Sequence, residues 1–319
     1  MLTKGAVMSR RRRNLPPIGE DATSVNASFY SASPANYLGQ RLQNLVARTA
    51  VPSVLDDALR DGVDLDGRRI DVKSFAPAAV AERFSTVESL ILTYHAAESL
   101  LRLYFAHEHF NECPWAELVT MRNTDFWEAL DLRFIRQTPI EALSRVERVF
   151  FGIDLPETLM QSRRQNGDAL NVELLLWRYA HYVKEMKDIY NSGKHGLSLN
   201  AFNLGLKVEG PSRAQRDGRV VQSLAFGPVQ GRRNEWHTNV AYVDLPENVA
   251  RVDSACRLIS QIWRVAQARY LGTPISRLES FSTPRIEELF SDEGSISSLR
   301  LGMPRSRTQG DSDGLADWQ

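Results

Sequence analysis

Apolar positions recur at helical spacing through the first two thirds of the chain and alternate in much of the last third. Leu38, Leu42, Leu45 and Val46 form the first periodic run, the mark of an amphipathic helix. Val54, Leu55 and Leu59 suggest a short second one. Val63 and Leu65, then Ile70 and Val72, alternate about Asp66-Gly67, which predicts a hairpin or extended connection over 62–74. Residues 78–110 hold neither Gly nor Pro and follow Pro77, so they read as one long helix. Shorter helices are predicted over 125–136, with Thr124 as cap, and over 139–151, behind Thr138 and Pro139. A polar loop over 153–167 leads into a long helix over 168–192, which Gly193 is placed to end.

The period changes after His195. Leu197, Leu199 and Ala201 alternate, then Val221, Ser223 and Ala225, then Trp236, Thr238, Val240 and Tyr242. Three such runs with turn chemistry between them predict an antiparallel meander. Pro246 opens a final helix whose apolar stripe runs from Val249 to Ala266 and stops at Gly272. The predicted organisation is a disordered basic arm over 1–36 carrying Arg10 to Arg13, then a helical bundle over 37–195. The meander and its helix follow over 196–272, and a short helix and disordered tail over 273–319. The fold class is α+β: mainly a helical bundle followed by a small three-stranded antiparallel meander and a C-terminal helix.

Charge changes this picture little. Lys+Arg and Asp+Glu both number 39, so nucleic acid is not captured by bulk charge, and a local patch would have to do it. Arg213, Arg216, Arg219, Arg232 and Arg233 form one such cluster in the loops of the meander. No apolar run approaches the ~18 residues of a spanning helix, and no secretory leader is read at the start, so a cytoplasmic protein off the membrane is expected. Cys113 and Cys256 are too few for a disulfide scaffold. The dinucleotide, P-loop, nucleophile-elbow and zincin motifs are missing, which disfavours dehydrogenase, ATPase, serine hydrolase and zincin chemistry. No cofactor and no metal is expected. His107, Glu108, His109 and Cys113 are near in sequence, but the two histidines fall about 200° apart on a continuous helix.

Titratable side chains concentrate in two places. On the helix over 78–110, His95, Arg102 and His109 are spaced by seven, and Glu98 lies within about 60° of them. Leu90, Ala97, Leu100, Leu101 and Tyr104 occupy the opposite face. The second place is Tyr190-Asn191-Ser192-Gly193-Lys194-His195-Gly196, where cations at a helix exit are favoured by the dipole and can hold a phosphate beside Asn191. His181, one turn from Trp177 and Glu185, is placed to join Glu98 and Arg102 if the two helices meet.

The segment Arg102-Leu-Tyr-Phe-Ala-His107, with the Asn191–His195 string, resembles the HEPN (higher eukaryote and prokaryote nucleotide-binding) helical superfamily and related abortive-infection-type proteins. The resemblance covers about residues 85–195. It implies an up-down bundle, a homodimer, and metal-independent RNA cleavage through an R-x4-6-H motif in a defence or toxin setting. Arg102 and Lys194 would then hold phosphate, with Asn191, Glu98 and His95 beside them, and His107 or His195 would move protons. The other reading is a non-catalytic module whose polar helix face and basic loops bind a partner protein or nucleic acid.

Overall fold

A computed structural model of the chain describes residues 21–51, 57, 60–70, 78–109, 111–136, 143–152, 166–194, 199–202, 219–228, 234–275, 277–282, 286, 289–290 and 299–302. The protein is mostly helical over these residues. In order they form α1 (Ala22–Phe29), α2 (Pro34–Ala50), β1 (Val63–Leu65), β2 (Arg68–Ile70), α3 (Ala78–His107), α4 (Pro114–Thr120) and α5 (Asn123–Leu130). A π-helical turn (Asp131–Ile135) continues α5, and α6 (Leu143–Phe151) and α7 (Asp168–Lys194) follow. Next come β3 (Leu199–Phe202), β4 (Arg219–Pro228), β5 (Asn234–Val243), α8 (Leu245–Leu271) and β6 (Leu299–Gly302).

The core forms around α3, which packs against α2, α7 and α8. The sequence pattern gave α3 one apolar face. The structure buries far more: Leu92, Ala96, Leu103, Phe105 and Ala106 are buried as well as the expected Leu90, Ala97, Leu100, Leu101 and Tyr104. A helix covered on three sides has no broad polar face to spare, so its titratable groups meet solvent along a narrow strip only.

The N-terminal boundary moves. α1 and α2 occupy part of what the pattern assigned to a disordered arm, and Tyr30 between them has no exposed surface. Its ring stacks on Tyr270 at 5.5 Å, and its carbonyl accepts from Trp263 Nε1 and Gln267 Nε2 at 3.2 and 2.8 Å. Three anchoring groups on one short segment offset its ordering cost, which a periodicity count over eight residues does not register. Ser33 caps α2 through the Ala35 N–H, with Pro34 at the first turn. Arg10 to Arg13 lie outside the described residues.

Most of the remaining expectations can be matched to elements. The hairpin β1–β2 turns at Asp66 and Gly67, both in the left-handed region, as a primed two-residue turn requires. Helix α8 starts at Asp244, whose carboxylate accepts from the Glu247 N–H at 3.0 Å. It stops at Gly272, with φ 69° and a Thr273 N–H to Gln267 carbonyl bond of 3.3 Å. Two expectations fail and one is met only in part. Thr124 is not a cap: α5 begins at Asn123, two residues before the expected start, and Arg122 stands at the cap position with its N–H donating to Asp125. Gly193 does not end α7, which runs through it to Lys194 with Gly193 buried; packing overrides its weak preference. The three-stranded meander is not confirmed as such. The strands pair antiparallel in the order β3-β4-β5-β6, and β6 comes from the stretch assigned to a disordered tail. Thr138, Pro139, the 153–165 loop and Arg213, Arg216, Arg232 and Arg233 lie outside the described residues.

Candidate functional site

The strip of α3 left open to solvent carries His95, Glu98, Ser99 and Arg102, at helical positions i, i+3, i+4 and i+7, with the buried Tyr94 beside them. Two other elements close on it. The first turn of α5 brings Asn123 and Thr124, with Trp127 one turn on, and the last turns of α7 bring Lys187, Tyr190 and Asn191. Together they line a cleft of roughly 730 Å³, large enough for a nucleotide-sized ligand.

Arg102 is the best-anchored group in it. Its Nε donates to Glu98 Oε1 at 2.8 Å, and one terminal nitrogen reaches Glu98 at 2.7 Å and Asn123 Oδ1 at 2.7 Å. The other donates to the Met121 carbonyl at 3.4 Å, and the guanidinium lies over the Phe126 ring at 4.3 Å. Three hydrogen bonds to protein acceptors hold its guanidinium in this geometry. Arg102 therefore braces the α3–α5 junction and offers little to a ligand beyond charge, most of which Glu98 cancels.

Lys187 is held differently. Its ammonium sits 4.4 Å from the centre of the Trp127 ring, a cation–π contact, and among the described residues no carboxylate pairs with it. Tyr190 stacks on Tyr94 at 3.8 Å with 11° between the rings. Burial raises both hydroxyl pKa values, so both stay protonated donors. His95 accepts from Arg41 at Nδ1, 3.1 Å away, while Arg41 pairs with Glu88 and Tyr37 meets the imidazole edge-on at 6.3 Å. An acceptor Nδ1 fixes the proton on Nε2. Burial first, then the Arg41 charge, lowers the His95 pKa, so the ring is neutral at pH 7 and donates from Nε2.

His107 is elsewhere. It is buried in the core on the far side of α3, where Nδ1 donates to the Leu103 carbonyl at 2.7 Å and Nε2 accepts from the Tyr30 hydroxyl at 2.8 Å. Burial drives its pKa down to about 4. The expected Arg102–His107 pair is thus not assembled: on a helix the two lie about 140° apart, and the second is sealed beneath α1. Both ring nitrogens are committed within the fold. His181 also misses the cleft. Its ring lies 4.1 Å from that of Trp177, tilted by 44°, and burial lowers its pKa, because α7 presents Lys187 and Asn191 to α3 and turns His181 toward the π turn. Glu108 is buried against Arg133 and Arg145 at 3.3 and 2.6 Å, so the His107-Glu108-His109 string does not gather. The side chain of Lys194 and all of His195 lie outside the described residues.

The structure brings together His95, Glu98, Arg102 and Asn191 from the expected set. Sequence reasoning missed Lys187, Trp127, Asn123 and Thr124. Lys187 was open to inference, since it shares the α7 face of Tyr190 and Asn191 by i,i+3 and i,i+4 spacing. Nothing in the sequence joins Trp127 to them. Comparison of the chain with protein-family models, curated proteins and solved structures finds no match. No helix among the described residues is long and apolar enough to cross a membrane.

Proposed function

We propose that the protein is a cytoplasmic RNA-directed binding module of HEPN-like kind that works without the Arg102–His107 chemistry of the cleaving members. The observation that carries this is the separation of the two residues: Arg102 lies in an open cleft with Lys187, Trp127 and Tyr190, while His107 is buried and bonded at both nitrogens. A cation beside aromatic rings suits an unstacked base with its phosphate. Neutral donors from His95, Asn191 and Tyr190 add hydrogen bonds without adding charge. The cytoplasmic setting, the homodimer and the defence role rest on the resemblance of Arg102–His107 and Asn191–His195 alone.

The test is binding of a fluorescent single-stranded tetraribonucleotide, followed by anisotropy, with RNA integrity checked on a gel in EDTA. The full chain binds, and Lys187→Ala and Trp127→Ala each weaken binding about tenfold or more, as stacking and charge losses of ~1–3 kcal/mol require. The RNA stays intact throughout. Cleavage in EDTA that Arg102→Ala abolishes in a folded protein would overturn the non-catalytic reading. Absence of any binding would overturn RNA as the ligand and leave a partner protein.

A further inference from the structure

Charge inside the cleft is unusually well accounted for, and it narrows what the cleft can hold. Three lining side chains are of charged type: Arg102, Glu98 and Lys187. Arg102 and Glu98 are in contact at 2.7 Å and cancel. His95 adds a donor and no charge, because Arg41 occupies its Nδ1. Among the described lining residues the net charge is one positive unit, centred on Lys187 over Trp127.

We infer that the cleft is built for a single singly charged phosphate, the internal phosphodiester of a strand with its base against the aromatic wall, and that it discriminates against terminal phosphates. This rests on the RNA-binding reading above and names the part of the strand that binds. A phosphodiester carries one negative charge and is matched by Lys187. A terminal phosphate carries ≈ −1.5 to −2 at pH 7, and its excess charge faces the Glu98 carboxylate across the same space. Arg102 cannot turn to meet it, since its donors are held by Glu98, Asn123 and Met121. Glu98 thus sets selectivity while it positions Arg102.

The salt dependence of binding reads the number of phosphates held. For single strands the slope of log K against log salt is about −0.7 for each phosphate neutralised. A 5′-hydroxyl tetraribonucleotide titrated between 50 and 300 mM salt should give a slope of about −0.7, and Lys187→Gln should bring it close to zero. A 5′-phosphate on the same tetranucleotide should leave affinity within about twofold. Glu98→Gln keeps the acceptor for Arg102 and removes the opposing charge. It should steepen the slope to about −1.4 and make the 5′-phosphorylated strand bind the tighter of the two. A wild-type slope of −1.4 or steeper, or tenfold tighter binding of the 5′-phosphorylated strand, overturns the inference while RNA binding itself stands. A Glu98→Gln protein that folds by circular dichroism and shows no change in slope overturns the role of Glu98. If no tetranucleotide binds, it is the RNA reading that falls.

Discussion

Two buried titratable side chains carry opposite pH signatures. His107 has a folded pKa of about 4 against an ordinary 6.5. The unfolded chain therefore takes up a proton first as pH falls, and the stability that neutral His107 contributes above 6.5 is lost toward 4. Glu173 on α7 lies at 1% exposure, and burial raises its pKa to about 7, with Glu108 adding and Arg133 opposing. Here the folded state holds the proton more tightly. Its contribution is complete below 4.5 and is lost as pH rises through 7. Each shift corresponds to about 3 kcal/mol at full expression. Urea titrations at a series of pH values separate them. Glu173→Gln gains stability over wild type at pH 8 and matches it at pH 4. His107→Gln is destabilised at pH 7 by a few kcal/mol, because the Tyr30 hydroxyl and Leu103 carbonyl lose their partner, and its acid arm is flatter. An unchanged profile in either variant removes the corresponding assignment. Neither environment was legible in the sequence. His107 was read from the spacing of a motif, and what decides its state is Tyr30, 77 positions away.

Elements with chemical end signals were read well, and elements shaped by packing were not. Helix α8 has Pro246 and Gly272 at its ends, and both act as the sequence suggests, while the structure adds the Asp244 cap. Gly272→Ala forces a side chain into φ 69° and should lower stability by about 1 kcal/mol or more. Asp244→Ala should cost about 1 kcal/mol through the lost cap. Thermal melts measure both, and their effects should add, since the two ends of the helix share no partner. In contrast, the run of α7 through Gly193 and the π turn after α5 have no local signature. The π turn places Arg133 against Glu108 at 3.3 Å and against the Tyr104 hydroxyl at 3.1 Å, a purpose set by α3 and invisible in residues 131–135 themselves.

At the scale of the molecule, the bundle and the change of period after it were readable, as was the polar strip of α3 with His95, Glu98 and Arg102. The partners of that strip were not. Helical periodicity tells which residues share a face and says nothing about which faces meet, so Trp127 and Lys187 entered the cleft unannounced. Asn191 was found through its place in the Asn191–His195 string, and its presence beside Arg102 depends on α7 lying along α3.

The clasp at Tyr30 has a practical consequence for shortening the chain. Trp263 and Gln267 donate to the carbonyl of a residue that precedes α2, and Phe29 lies 4.9 Å from the Trp263 ring. Removing residues 1–33 strips that lid away and opens the Trp263, Tyr270 and His107 side chains to water. Indole emission reports the loss directly. The deletion should shift it to the red, and the shortened chain should bind dyes that seek apolar surface.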